Sequence, residues 1–124
     1  MTRTFDIPEV RWGSFLRMII RGSLGRPTRI ELVNRALGDQ EMGDRLPLRL
    51  LELEEKGSER GHLLVSVGDD EDEVTHLIEM PTRMAIGLND VGELLWLAVD
   101  AGEVGTTIVH FESFPALEAE YTFP

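Results

Sequence analysis

The chain has 124 residues, 42% of them hydrophobic, enough for one compact core without disulfides or a structural metal. The absence of cysteine excludes disulfide frameworks, thiolate zinc sites and cysteine nucleophiles. A formal net charge of −11 argues against nucleic acid as a partner, because an acidic body repels phosphate backbones.

The charge is unevenly spread. Residues 1–35 hold seven arginines and three acids, and the remainder holds five basic and twenty acidic groups. A basic segment lying against an acidic body is the expected arrangement. The N-terminal stretch "MTRTFDIPEV" lacks the apolar run of a signal peptide, and no apolar cluster reaches the length of a membrane span. A cytoplasmic protein with no membrane partner is expected.

The first element is a helix over about residues 7–22. Asp6 is placed as its N-cap, Pro8 falls in the first turn, and Glu9 completes a capping box, with Phe5 and Val10 as a hydrophobic staple. Trp12, Phe15, Leu16, Ile19 and Ile20 recur at helical spacing, with Arg11, Ser14, Arg17 and Arg21 on the opposite side. Gly22 and Gly25 close the helix. The arginine face is also that of a helix lying on a membrane. The negative body and the sheet's need for a cover favour core packing.

After residue 28 the period changes to two. Strands are predicted at 29–34, 46–57, 62–68, 74–80, 83–88, 93–99 and 106–113, with 35–45 an irregular loop. In "LPLRLLELEEKG" the apolar phase shifts between Leu50 and Leu51, which predicts a β-bulge. Val74, His76, Ile78 and Met80 share one strand face. Short polar, glycine-containing loops join the strands as hairpins, and no second helical pattern intervenes. The fold class is therefore α+β. One N-terminal amphipathic helix packs on a curved, mainly antiparallel β-meander, with a half-open barrel as a variant. A single domain is expected over 1–124, with the sheet at about 29–113 and a C-terminal extension at 114–124.

The run "GDDEDEVTH" (68–76) is the most chemically suggestive stretch. Read as an EF-hand from Asp69, it places Val74 where the loop needs glycine and Met80 where it needs a bidentate glutamate. Five adjacent carboxylates repel one another, so the run reads as a solvated hairpin tip that also discourages edge-to-edge association. Folding about residue 71 would set His76 opposite Ser66. His62, His76 and His110 match no metal-ligand spacing, so no metal or other cofactor is expected. No GxSxG elbow, P-loop, GxGxxG or HExxH occurs.

Four segments, in order, resemble a family of small bacterial proteins of unknown function. These are "IPEVRWGSF" (7–15), "LPLRLLELEEKG" (46–57), "VTHLIEMPTRM" (74–84) and "VDAGEVGTTIVHF" (99–111). The family pattern they match is an Ile-Pro-x-x-x-Trp-x-x-Phe helix, a Leu-Pro-Leu strand, a Thr-His-x-Ile…Pro-Thr segment and a Gly-Thr-Thr hairpin strand. The resemblance spans about 7–113 and departs after 113. It implies a bacterial, cytoplasmic, single-domain protein and carries no catalytic residue.

Two functions follow as expectations. The first is a non-enzymatic interaction or structural module. The second is a small-ligand-binding domain with a pocket between helix and sheet, near Trp12, His76, Trp96 and His110. An enzyme using His76 with an acid is the least supported. "ELLWLAV" (93–99) is apolar on both faces, with Leu94, Trp96 and Ala98 opposite Leu95, Leu97 and Val99. One helix covers only one sheet face, so a homodimer through the other is expected, with docking of the C-terminal extension 114–124 or closure of the barrel as the alternative covers.

Overall fold

The structure, a computed structural model, describes residues 1–34, 36–58 and 60–112. The predicted extension 114–124 lies outside the described residues. One helix packs on a curved, unclosed antiparallel sheet, so the α+β expectation holds. In chain order the elements are β1 (Arg3–Asp6), a 3-10 turn (Glu9–Arg11), α1 (Trp12–Ser23), β2 (Pro27–Asn34) and β3 (Gly38–Leu53). Then follow β4 (Leu63–Gly68), β5 (Glu73–Ile78), β6 (Arg83–Leu88), β7 (Leu94–Asp100) and β8 (Thr106–Phe111). The eight strands run in the order β1-β6-β7-β8-β2-β3-β4-β5.

The helix keeps its predicted faces. Trp12, Phe15, Leu16 and Ile19 are buried, whereas Arg11, Ser14, Arg17 and Arg21 are exposed. The Trp12 indole N–H donates to the Ile7 carbonyl at 2.8 Å, so this large side chain is buried with its polar atom satisfied. The Ile7 amide in turn bonds the Met84 carbonyl at 2.8 Å, which ties the entry of the helix to β6.

The predicted cap is not there. Asp6 ends β1, a strand the sequence reading missed, and its carboxylate pairs with Arg83 at 2.7 Å. Neither the 3-10 turn nor α1 has a side-chain cap, and Val10 is 95% exposed, so the staple is absent too. Residues 3–6 pair with 85–88 of β6, and that ladder turns Asp6 towards a guanidinium rather than the helix amides.

Residues 38–45, expected as loop, are the first half of the 16-residue β3. This half pairs with β2 and the second half pairs with β4. Its side chains are almost all exposed, so no apolar period marked it as strand. A bulge is present, but as a register shift between Leu48 and Leu50, one step before the predicted phase change between Leu50 and Leu51. Leu48 also exchanges backbone bonds with Gly25 (2.8 Å) and Arg26 (2.9 Å), which fasten the exit of α1 to the bend.

In β7 a second register shift, beside Gly87 and Leu88, moves Leu94 onto the inner face with Leu97 and Val99. Trp96 and Ala98 remain half-buried on the outer face. The Trp96 indole lies across Gly87 and leaves no room there for a Cβ.

Replacing Trp12 by Ala is expected to cost about 3–5 kcal/mol, as for a large aromatic truncated in a core. Asp6→Ala removes a half-exposed ion pair and is expected to cost less than about 1 kcal/mol. Denaturant midpoints of the two variants decide this: equal losses would mean that Asp6 anchors the helix after all.

Candidate functional site

Because β3 bends, β4 and β5 fold over the inner face of the main sheet, and β5 comes to lie near β8. The side chain of His76 on β5 meets that of Thr107 on β8, with Nε2 and Oγ1 3.1 Å apart. Beside this contact opens a cleft of about 590 Å³. Leu77, Ile78 and Met80 line one wall, and Leu32, Val33 and Thr106 line the other. The volume falls within the range of small-ligand sites.

The rim carries apolar side chains that water should not favour. Leu37, Leu77, Met80 and Val104 are 70%, 43%, 78% and 76% exposed, half of the eight large apolar side chains so exposed among the described residues. The backbone at two of them is tied by one side chain. The Asn34 amide donates to the Val104 carbonyl at 2.9 Å, and its Oδ1 accepts from the amides of Ala36 (2.8 Å) and Leu37 (3.1 Å). Asn34 thereby locks the β2–β3 turn to the β7–β8 turn, a job its paired donor and acceptor suit.

The four candidate residues do not share one pocket. Trp12 is in the core with its N–H satisfied. His76 lines the cleft. Trp96 and His110 are cross-strand neighbours on the outer face, opposite the helix. There His110 Nε2 meets the Glu31 carboxylate at 2.9 Å, and Arg29 pairs with Glu41 at 3.3 Å. The His110 hydrogen bond is the main cause holding Glu31 below the usual carboxylate range, and Asp39, bonded to Glu31, is pushed up. Strand alternation puts Trp96 and His110 on the face away from Trp12. A separate groove of about 410 Å³ does lie between α1 and the end of β3. Gly13, Leu16, Arg17 and Glu55 line it, and none of the four candidates does.

Residues 3–120 match a family of unknown function, DUF5335. The chain belongs to that family. The match runs past residue 113, where the resemblance read from the motifs ended. No curated protein and no solved structure matches the chain.

In this DUF5335 chain the acidic run forms a tight turn. The Asp69 amide bonds the Asp72 carbonyl at 3.0 Å. The Asp69 carboxylate accepts from the amides of Asp72 (2.8 Å) and Glu71 (2.9 Å), and these bonds hold its pKa below the usual range. Asp70 pairs with Arg49 at 3.0 Å. Among the described residues, no group of three or more histidines, cysteines or carboxylates is placed to hold a metal ion. No helix among them is long and apolar enough to cross a membrane. The hairpin register is one residue off the expected one, with Ser66 opposite Thr75 and Val65 opposite His76. Ser66 and His76 therefore point to opposite faces, and Ser66 bonds Glu73 (2.6 Å) and Thr75 (3.1 Å) instead.

Leu37 and Val104 were missed because each sits in a turn, where the only sequence signal was an apolar residue inside a polar loop. Met80, expected on the strand face of Val74, His76 and Ile78, lies beyond the end of β5 at Ile78 and is exposed.

Burial lowers the pKa of His76, so the folded state favours the neutral ring. The unfolded chain takes up its proton first as the pH falls below about 6.5, and stability falls with it. The melting temperature is expected to drop between pH 7.5 and 5.5. His76→Gln, which keeps a hydrogen-bonding group beside Thr107, should flatten that drop. Parallel slopes for parent and variant would assign it elsewhere.

Proposed function

We propose that this chain is a non-enzymatic interaction module whose working surface is the cleft between β5 and the β2–β3 and β7–β8 turns. One observation carries this reading: Asn34 ties together the backbone at Leu37 and Val104, whose apolar side chains stand exposed beside the cleft. Apolar side chains exposed together at one place mark an interaction site. Burying one of them against a partner yields about 1.5–3 kcal/mol. The separation of Ser66 from His76 supports a binding role over hydrolysis. A bacterial, cytoplasmic setting is part of the proposal and rests on the resemblance.

The neutral, environment-sensitive dye Nile red tests the surface. Its fluorescence should rise with the folded protein. The response should vanish in the Leu37→Ser/Val104→Ser double variant while the melting temperature holds. An unchanged response in that variant would remove the cleft from consideration.

A homodimer through the outer sheet face belongs to the same proposal. Leu95, Trp96, Ala98 and Ile108 are half-buried there, and no described element covers them. Light scattering at micromolar concentration should give twice the 14.0 kDa chain mass, and Ile108→Lys should return it to one. A monomeric parent protein would defeat this part.

A further inference from the structure

Strand β5 ends the sheet. On one side it pairs with β4, and on the other no described strand meets it. The Asp69–Asp72 bond sets which of its backbone groups are free. In an antiparallel ladder, hydrogen-bonded and non-bonded pairs alternate. Counting from Asp69–Asp72, the residues of β5 bonded to β4 are Val74, His76 and Ile78. Glu73, Thr75 and Leu77 then turn their N–H and C=O groups outward, to the free edge. The side chains of Val74, His76 and Ile78 face inward and are half-buried or buried, and the cleft begins beside them.

We infer that the cleft takes an extended peptide segment that adds to β5 as a further strand, with apolar residues at alternate positions and basic residues at its flanks. This rests on the cleft being the working surface. Backbone bonds to Glu73, Thr75 and Leu77 supply the affinity, and alternate side chains enter the cleft beside His76. The charge pattern selects the occupant. The acidic turn Asp69–Glu73 stands at one end of the edge and Glu79 at the other, and Glu79 is the one charged residue lining the cleft among the described residues. Arg49 offsets part of the turn's charge through Asp70 and Glu73, yet five carboxylates gather there. A second copy pairing β5 to β5 in antiparallel fashion, with Thr75 opposite Leu77, would set Glu73 of one chain against Glu79 of the other. Like charges across strands are unfavourable, so the edge resists its own copy and accepts a basic-flanked strand.

The test uses the full chain and a ten-residue synthetic peptide of three Val-Thr repeats between pairs of lysines. Two comparison peptides carry methyl groups on alternate backbone nitrogens, one in each phase, and a third replaces lysine by glutamate. Titration followed by amide NMR should show saturable binding of the lysine peptide, with shifts at Thr75 and Leu77. One methylated phase should bind at least about tenfold more weakly, as expected when edge hydrogen bonds are lost. The glutamate peptide should also bind more weakly. Equal binding of both methylated peptides would overturn strand addition. So would failure of the lysine peptide to bind a protein whose cleft still takes Nile red. A dimer split by Leu77→Pro would give the edge to a second copy and overturn it as well. A cleft that does not respond to Nile red would instead fail the broader reading.

Discussion

The shape of this molecule depends on the bend in one strand. A sheet in which β3 ran straight would extend as a single layer, with one helix lying on it. Instead β3 pairs with β2 through its first half and with β4 through its second, changing register near residues 43–46 and again between Leu48 and Leu50. Arg45 takes a left-handed φ of 57°, which costs a non-glycine residue about 1–2 kcal/mol. Its guanidinium reaches Glu112 at 2.8 Å, and the backbone of Leu48 is clamped by the turn after α1. Those contacts hold a conformation that the chain alone would not choose. With the bend in place, the two halves of the sheet enclose Ile30, Leu51, Val65, Ile86 and Val109 in one core.

The bend also decides what stays wet. Sheet edges and apolar turns are hazards that proteins blunt with charge. At β5 the blunting is concentrated at the two ends of the strand, so Thr75 and Leu77 stay open between acidic groups. At β1, the other edge, Arg3 and Asp6 flank a half-buried Phe5, and Asp6 is engaged by Arg83. The two edges are thus unequal: one is short and held by ion pairs, whereas the other opens beside a cleft.

Periodic elements were the legible part of the sequence. The helix faces, the hairpin tip, a bulge in β3 and the shared face of Val74, His76 and Ile78 could all be read, because each follows from spacing along one segment. What could not be read came from partners distant in the chain. The pattern before α1 offered Asp6 as a cap, and only the neighbouring strand shows that Arg83 claims it. The polar half of β3 carries no apolar period because it runs out beyond the core. Counting residues around a turn left the hairpin one residue out of register, enough to move Ser66 to the wrong face. The cleft was invisible for the same reason, since its walls come from β2, β5 and β8 and the turns beside them.

Pairing order has a bearing on how the chain acquires its fold during synthesis. Arg3 meets Leu88, and Thr28 meets Phe111, so β1 waits for β6 and β2 for β8. At about 5–20 residues per second, a ribosome takes seconds to reach β8 after β2 has emerged. The β2–β3–β4–β5 run can assemble from neighbours in that interval, and the β6–β7 hairpin after it. Until β8 joins the two, the inner face of the first run, with Ile30, Leu48 and Val65, has only α1 to cover it. A nascent chain of this kind is vulnerable in mid-synthesis, and the acidic residues that crowd β3 and the β4–β5 turn are then the main groups keeping it in solution.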